Sequence, residues 1–410
     1  MCRGIIMKRR MTNIFSCVGL ASMLILSACG NSETDSASNE ENKGEKVTLT
    51  VWGNEGKSIT EPAFTEINKE FMKKHPNIEI DYQYSGNQQV IDTAVRSNSL
   101  PDLFVVQGNK TPMMKLYKDS GALLSLDDYK MDVSRYSKEA IDYATIDGSL
   151  YSGLPATMDS QVIYYNKDVF KKAGVQEPKT FGEFLELFEK LKKEGVTPMA
   201  MPGKEEWNRA WLPYALFPSL AEDALVRLNN GEGDFSDPNI IEAFQTIRDF
   251  AEEGYFPKDF ITGDMAGAQL SFTNGDVAMI ADGTWSNPAY QDSMGSNLGA
   301  FYIPNMDGER VAVLSFNDIM TFAASAETKH PEEAAEYIKF LSSREAQQTY
   351  VDKTGAIPTL DDLKPSQETA HLSKYDSFGQ NIYSVLTNIS TEKVALTDLF
   401  MREVIPGLLA

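Results

Sequence analysis

Short apolar runs of strand type alternate with amphipathic helical stretches from Val47 onward, and that alternation restricts the fold more than any other feature of the chain. Val47 to Gly53 (VTLTVWG) reads as a strand ending at glycine, and Ile59 to His75 carries Ile59, Ala63, Phe64, Ile67 and Phe71 near helical spacing before Pro76 stops it. Ile78 to Tyr84 (IEIDYQY) alternates as a strand, Val90 to Arg96 reads as helix, Asp102 to Val106 (DLFVV) as a buried strand and Pro112 to Lys118 as helix. This βαβα order implies an α/β fold with a mainly parallel sheet covered on both faces, whose ligands bind beyond the carboxyl ends of the strands. That rule points to Trp52 and Asn54 after the first strand and to Gln107, Gly108 and Asn109 after the third.

A second block repeats the style with different material. Gln161 to Asn166 (QVIYYN) is a strand entering a helix, and Thr180 caps a helix through Phe184, Leu187, Phe188 and Leu191 that ends at Gly195. Helices around Trp207 to Leu216 and Pro238 to Glu253 follow, then Asp276 to Ala281 as strand and Gly283-Thr284-Trp285 as a turn. Pro331 to Leu341 is a helix opened by proline, with Ala334, Ala335, Ile338 and Leu341 on one side. No repeat of solenoid or propeller length is present. The roughly 365 residues from Lys46 on exceed what one hydrophobic core supports, so two domains are expected.

The first 30 residues have a different character. Arg3, Lys8, Arg9 and Arg10 precede an apolar stretch from Ile14 to Leu26, then Ser27, Ala28, Cys29 and Gly30, the layout of a secretory signal peptide whether the start is Met1, Met7 or Met11. Thirteen helical residues rise only about 20 Å, short of a hydrocarbon core of about 30 Å, so removal is expected rather than a membrane span. Leu26-Ser27-Ala28-Cys29 resembles the lipobox of bacterial lipoproteins, which implies a diacylglyceryl anchor on Cys29, two acyl chains holding where one binds marginally. The other reading is an ordinary signal peptide with an incidental cysteine. Cys2 and Cys17 lie upstream, so no disulfide can form within the mature chain. Asn31 to Glu45 (NSETDSASNEENKGE) lacks aromatic and large aliphatic side chains and reads as a flexible tether. Without the leader, 34 basic side chains stand against 59 acidic ones, a net charge near −25 that argues against nucleic acid as a partner.

Beyond these physical readings, the chain resembles the carbohydrate-binding subunits of ATP-driven (ABC) importers, the extracellular solute-binding proteins related to maltose-, raffinose- and multiple-sugar-binding proteins. The segments carrying the resemblance are VTLTVWG, LPDLFVV, LYSGLPATMDSQVIYYNKDVFKKAG, PKTFGEFLELFEKL, FTNGDVAMIADGTW and HPEEAAEYIKFLSSREAQQTYVDKTGAIPT, spread over most of the mature chain. It implies a two-lobed periplasmic-binding-protein fold of type II, each lobe a mainly parallel sheet flanked by helices around an interlobe cleft. The chain is expected to cross between lobes near Met158, Leu314 and Gly355, giving lobe 1 as 46–158 plus 315–355 and lobe 2 as 159–314 plus 356–410. Family members continue past the equivalent of Val404-Ile405-Pro406-Gly407 into a further helix, so with an end at Ala410 part of the second lobe's covering is expected to be missing. The resemblance also implies a monomer that hands a carbohydrate to membrane permease subunits from the extracytoplasmic face, in a Gram-positive-like setting.

A neutral sugar presents hydroxyls at its edge and C–H groups on its face, so its binder needs aromatic plates and side chains that donate and accept hydrogen bonds. Trp52, Trp207 and Trp285 are the candidate plates, whereas Trp211, one helical turn beyond Trp207, reads as core. Asn54, Asn109, Asp159, Gln161, Asn317 and Asp318 lie at strand ends or crossings and are the polar candidates, although Asn and Asp are also ordinary turn and cap residues. Tyr164 and Tyr165 face opposite ways on a strand, and Tyr164 is taken as the one lining the cleft. Asp102 reads as structural. Ligand bridging the lobes would select the closed form. Two other classes stay open: an importer subunit for a polyamine or peptide, and a tethered glycoside hydrolase using paired carboxylates. His75, His330 and His371 are far apart, so no transition-metal site is expected, while a carboxylate calcium site stays open. Phosphate loops and nucleophile elbows are absent, and no cofactor is expected.

Overall fold

The structure, a computed structural model, describes residues 46–410 apart from 55–56, 111, 368 and 392–393. Cys29, the leader and the tether lie outside the described residues. The strands of the two large sheets are Val47–Trp52 (β1), Ile78–Gln83 (β2), Leu103–Val105 (β3), Thr157–Asn166 (β4), Thr197–Ala200 (β5), Val277–Gly283 (β6), Leu298–Phe301 (β7), Leu314–Phe316 (β8), Phe322–Ala324 (β9) and Ile357–Pro358 (β10).

The first sheet has the order β9-β3-β1-β2. Its β1 pairs in parallel with β2 and β3, and β9 returns antiparallel to β3. The helix Lys57–Lys74 covers one face because Ala63, Phe64, Ile67 and Phe71 recur on one side and are fully buried. Pro331–Leu341 follows the same logic, with Pro331 in its first turn and Ala334, Ala335, Ile338 and Leu341 buried. The core built on this sheet draws on residues from Leu49 to Ala156 and again from Met320 to Leu363.

In the second sheet β4 is the hub. Its inner half pairs antiparallel with β6 and β7, and β5 runs parallel to β6. This corrects the expectation of a mainly parallel second sheet. Strand direction is set by where the chain re-enters: β6 reaches β4 after a long helical excursion, and β7 after the short helix Asn287–Met294. On one face Ile163, Tyr165, Met279 and Ala281 join the core formed with the helices Phe181–Lys193, Trp211–Asn229 and Pro238–Glu252. On the other, Val162, Tyr164 and Ile280 join Phe272 and Tyr290.

The outer half of β4 lies between the cores. Ser160, Asp159 and Met158 pair with Leu314, Ser315 and Phe316 of β8, and Met158 and Thr157 pair with Ile357 and Pro358 of β10. Three segments that connect the cores therefore run side by side as one hydrogen-bonded ribbon. Among the described residues no helix is long and apolar enough to cross a membrane.

Candidate functional site

Beyond the carboxyl ends of β1 and β3 lies a cavity of about 490 Å³, lined from the first core by Asn54, Asn87, Gln88, Gln107 and Asp318 and from the second by Trp207. Ile91, Val105, Val106, Met113 and Met114 add apolar side chains, and at Gly86 the lining is backbone. Gly86 donates its N–H to the Gly53 carbonyl at 2.8 Å, and a Cβ on Gly86 would stand 2.8 Å from that oxygen and 2.9 Å from the Trp52 carbonyl. Only glycine lets the chain leaving β2 pass so close over the end of β1.

Local hydrogen bonds set the polar wall. Asn87 caps the helix Gln88–Ser97, its side chain accepting from Val90 N at 2.8 Å. Gln88 donates to the Tyr117 hydroxyl, which in turn donates to Asp92, so a glutamine beside the cavity is tied to the helix Met113–Asp119. Burial, then the hydrogen bond to Asp92 and its charge, hold the Tyr117 hydroxyl well above the usual phenol range.

The second core contributes rings. Trp207 is 50% exposed and packs on Tyr383 at 5.0 Å between centroids. Tyr383 meets Tyr214 at 6.3 Å, Tyr214 meets Trp211 at 5.8 Å, and Trp211 meets Trp285 edge-on at 5.3 Å. The Trp285 ring lies against Gly283, where any Cβ would collide with it. That turn is held from inside by Asp282, fully buried, which accepts from the Tyr290 hydroxyl and Gly283 N at 2.7 Å each and from Gln269 Nε2 at 3.2 Å. Burial raises the Asp282 carboxyl above its ordinary range despite these donors.

The crossing ribbon has its own polar cluster. Asn317 Nδ2 donates to Asp159 Oδ2 at 2.7 Å and to the Tyr350 hydroxyl at 3.3 Å, Asn317 Oδ1 accepts from Ile319 N at 2.8 Å, and Thr284 Oγ1 donates to Asp159 Oδ1 at 3.3 Å. A chain of hydrogen bonds thus links the Trp285 turn to the first core.

Of the residues singled out in the sequence, Asn54, Gln107, Trp207 and Asp318 line this cavity. Asp159 and Asn317 sit in the ribbon and bond to each other, and Trp52 packs partly buried against the first core. Asn109 is spent on closing the helix Lys138–Ala144, its amide donating to the carbonyls of Asp142 and Thr145 at 2.6 Å each. Gln161 is buried on β4 opposite Gly283, and Trp285 belongs to the ring series beside it. Tyr164 does not line a cleft. It is 0% exposed, its ring packs on Tyr290 at 4.9 Å and its hydroxyl reaches the Gly283 carbonyl at 3.4 Å. The alternation argument fails because helices cover both faces of this sheet, so Tyr165 is buried as well, its hydroxyl donating to Glu177 at 2.5 Å. Trp211, read as core, packs partly buried against the second core and bridges two other rings. Asn87 and Gln88 were missed although they follow β2 as Asn54 follows β1; the strand-end rule would have found them. Tyr383 carries no local signal.

Two α/β lobes, three paired crossing segments and a cavity with a polar wall and an aromatic one define a two-lobed binding protein. The chain belongs to the bacterial extracellular solute-binding protein family, whose sequence profile matches residues 66–375. It is similar to the multiple sugar-binding protein of Streptococcus mutans serotype c, 26% identical over 349 residues that cover 83% of this chain and 80% of the relative. It is also similar to the sn-glycerol-3-phosphate-binding periplasmic protein UgpB of Brucella abortus, 27% identical over 333 residues, 76% of this chain and 74% of the relative. Among solved structures, the solute-binding protein RafE in complex with raffinose superposes with a TM-score of 0.70 at 22% identity, over 89% of this chain and 100% of the other.

Proposed function

We propose that this protein captures a sugar or oligosaccharide between its lobes and delivers it to an ABC permease. The observation that carries the reading is the meeting of the Trp207 ring with Asn54, Gln107 and Asp318 around one cavity. A ring covers the C–H face of a pyranose while amides and a carboxylate take its hydroxyls. The names of the sugar-binding relative and of the raffinose complex support the same class. Binding needs no covalent step. A polyamine, the rival ligand, would call for several carboxylates, and among the described residues the cavity lining has one.

Lobe 1 in this reading is 46–158 plus 315–363 and lobe 2 is 159–314 plus 364–410, with bending at the ribbon; the third crossing lies beyond the expected Gly355 because Ala356, Leu360 and Leu363 pack in the first core. Ligand that touches both walls stabilises the closed arrangement by its differential affinity. Cys29 carries the lipid and Asn31 to Glu45 the tether, which confine the receptor near its permease and raise its effective concentration there.

A thermal-shift screen over sugars, polyamines and peptides tests the ligand class. Ligand at 100 times its Kd adds about 2.7 kcal/mol of stability. Stabilisation by a polyamine or peptide and by no sugar would overturn the proposal. Small-angle scattering should show compaction on saturation, and an unchanged radius sinks the closure. Metabolic labelling with a clickable fatty acid should mark the wild type and not Cys29→Ala.

A further inference from the structure

Among its described lining residues the cavity has one charged side chain, Asp318, and no lysine, arginine or histidine. The carboxylate is partly exposed and held at a fixed place: Asn317 before it is clamped in the ribbon, and its own carbonyl accepts from Thr321 N at 3.0 Å and Thr321 Oγ1 at 2.8 Å. It faces the hydroxyls of Tyr143 and Tyr350 and forms no ion pair among the described residues.

Among the described side chains, the lysines and Arg209 on the elements that build the cavity have partners elsewhere. Lys115 pairs with Asp119 at 3.0 Å and Lys118 with Asp147 at 2.8 Å, both on the helix that supplies Met113 and Tyr117. Arg209, two residues past Trp207, donates to the carbonyls of Gly203 and Met401 at 3.3 and 3.1 Å. Lys204 lies 3.9 Å from both Glu205 and Asp264. Arg96 is exposed at the far end of the helix Gln88–Ser97 and faces Tyr117, whose hydroxyl is already bound to Asp92.

We propose that Asp318 makes this cleft a charge filter: it takes neutral saccharides and rejects those carrying a carboxylate or phosphate. The inference rests on the sugar-binding reading above and adds which sugars enter. An anionic group brought into the cavity sheds water, meets no compensating cation among the described lining residues and approaches a fixed carboxylate. Hydroxyls of a neutral sugar instead donate to that carboxylate, a charge-assisted bond. The discrimination expected from one like charge at close range is on the order of 100-fold in affinity.

Calorimetry on the wild-type protein with raffinose, diacetylchitobiose, digalacturonate and sn-glycerol 3-phosphate tests this. The expected result is binding of a neutral member, with both acidic members on the order of 100-fold weaker or undetectable. In Asp318→Asn the ratio of neutral to acidic affinity should shrink to about tenfold or less, even if both affinities move, because a loss of packing alone would leave the ratio unchanged. Circular dichroism checks that the variant is folded, and the wild-type comparison needs no variant at all. Acidic binding as tight as neutral, or an unchanged ratio in Asp318→Asn, overturns the filter and leaves the sugar reading standing. No heat with any of the four, confirmed by no thermal shift across a wider sugar panel, overturns both.

Discussion

The two walls of the cavity are made in opposite ways. On the first sheet, short polar side chains such as Asn54 and Gln107 follow strand ends, and Gln88 opens a helix capped by Asn87 and reaches across to Tyr117. On the second, large rings lean on one another from Trp207 through Tyr383 and Trp211 to Trp285, held by packing between segments far apart in the chain. The polar wall fixes orientation and charge, and the aromatic wall supplies area. Damage to the first should change which ligand binds, whereas damage to the support of the second should change whether the lobe holds its shape.

The largest effect is expected from Asp282→Ala, which leaves the Tyr290 hydroxyl, Gly283 N–H and Gln269 amide without their shared acceptor. Loss of such a buried network costs about 3 kcal/mol. Urea unfolding followed by tryptophan fluorescence measures it, and a loss below about 1 kcal/mol would break the picture of an aromatic wall supported from within. Next is Trp207→Ala. The half-exposed ring contributes little to folding, but its removal should weaken sugar binding by about 2 kcal/mol, near 30-fold, with the melting temperature almost unchanged. Gln107→Ala is the polar counterpart, expected to cost about 1 kcal/mol of binding, and equal losses at both positions would erase the contrast.

The smallest effect separates the two sheets by pH. Asp102 at the start of β3 is partly buried, which raises its pKa, yet donors from Thr328 Oγ1 at 2.7 Å and from Thr50 N and Oγ1 at 2.8 Å each outweigh burial and lower it overall. A lowered folded pKa gives stability that is present above the unfolded value near 4 and is lost as pH falls through the folded one. Asp282 is raised, so its contribution has the reverse sign: present at low pH and lost as pH rises through the folded value. Acid should therefore loosen the first sheet while relieving the second. Unfolding of Asp102→Asn between pH 3 and 6, compared with wild type, should show a shallower acid limb. A steeper limb would reverse the assignment.

How much of this could be read from the chain depends on whether the cause is local. The helix Pro331–Leu341 has the bounds its proline and apolar spacing require, and β1 and β2 match their runs to within one residue. The antiparallel partners of β4 were not legible, because direction depends on how distant segments return. The same holds at the site. Asn54 and Asp318 follow a simple strand-end or crossing rule into the cavity. Asn317 obeys the same rule but is taken up by Asp159, a residue whose proximity only the crossing ribbon creates. A sequence shows where a polar side chain is available, and tertiary packing decides whether a ligand or a neighbour uses it.

The passage of Gly86 over the Gly53 carbonyl has a consequence for how such a receptor can change over generations. At Gly86 no side chain can be added without pushing β1 and the segment after β2 apart. Innovation is channelled sideways, to Asp318, Gln107 and the indole opposite them. A lineage that shifts from one solute to another varies those side chains and inherits the Gly86 passage unchanged.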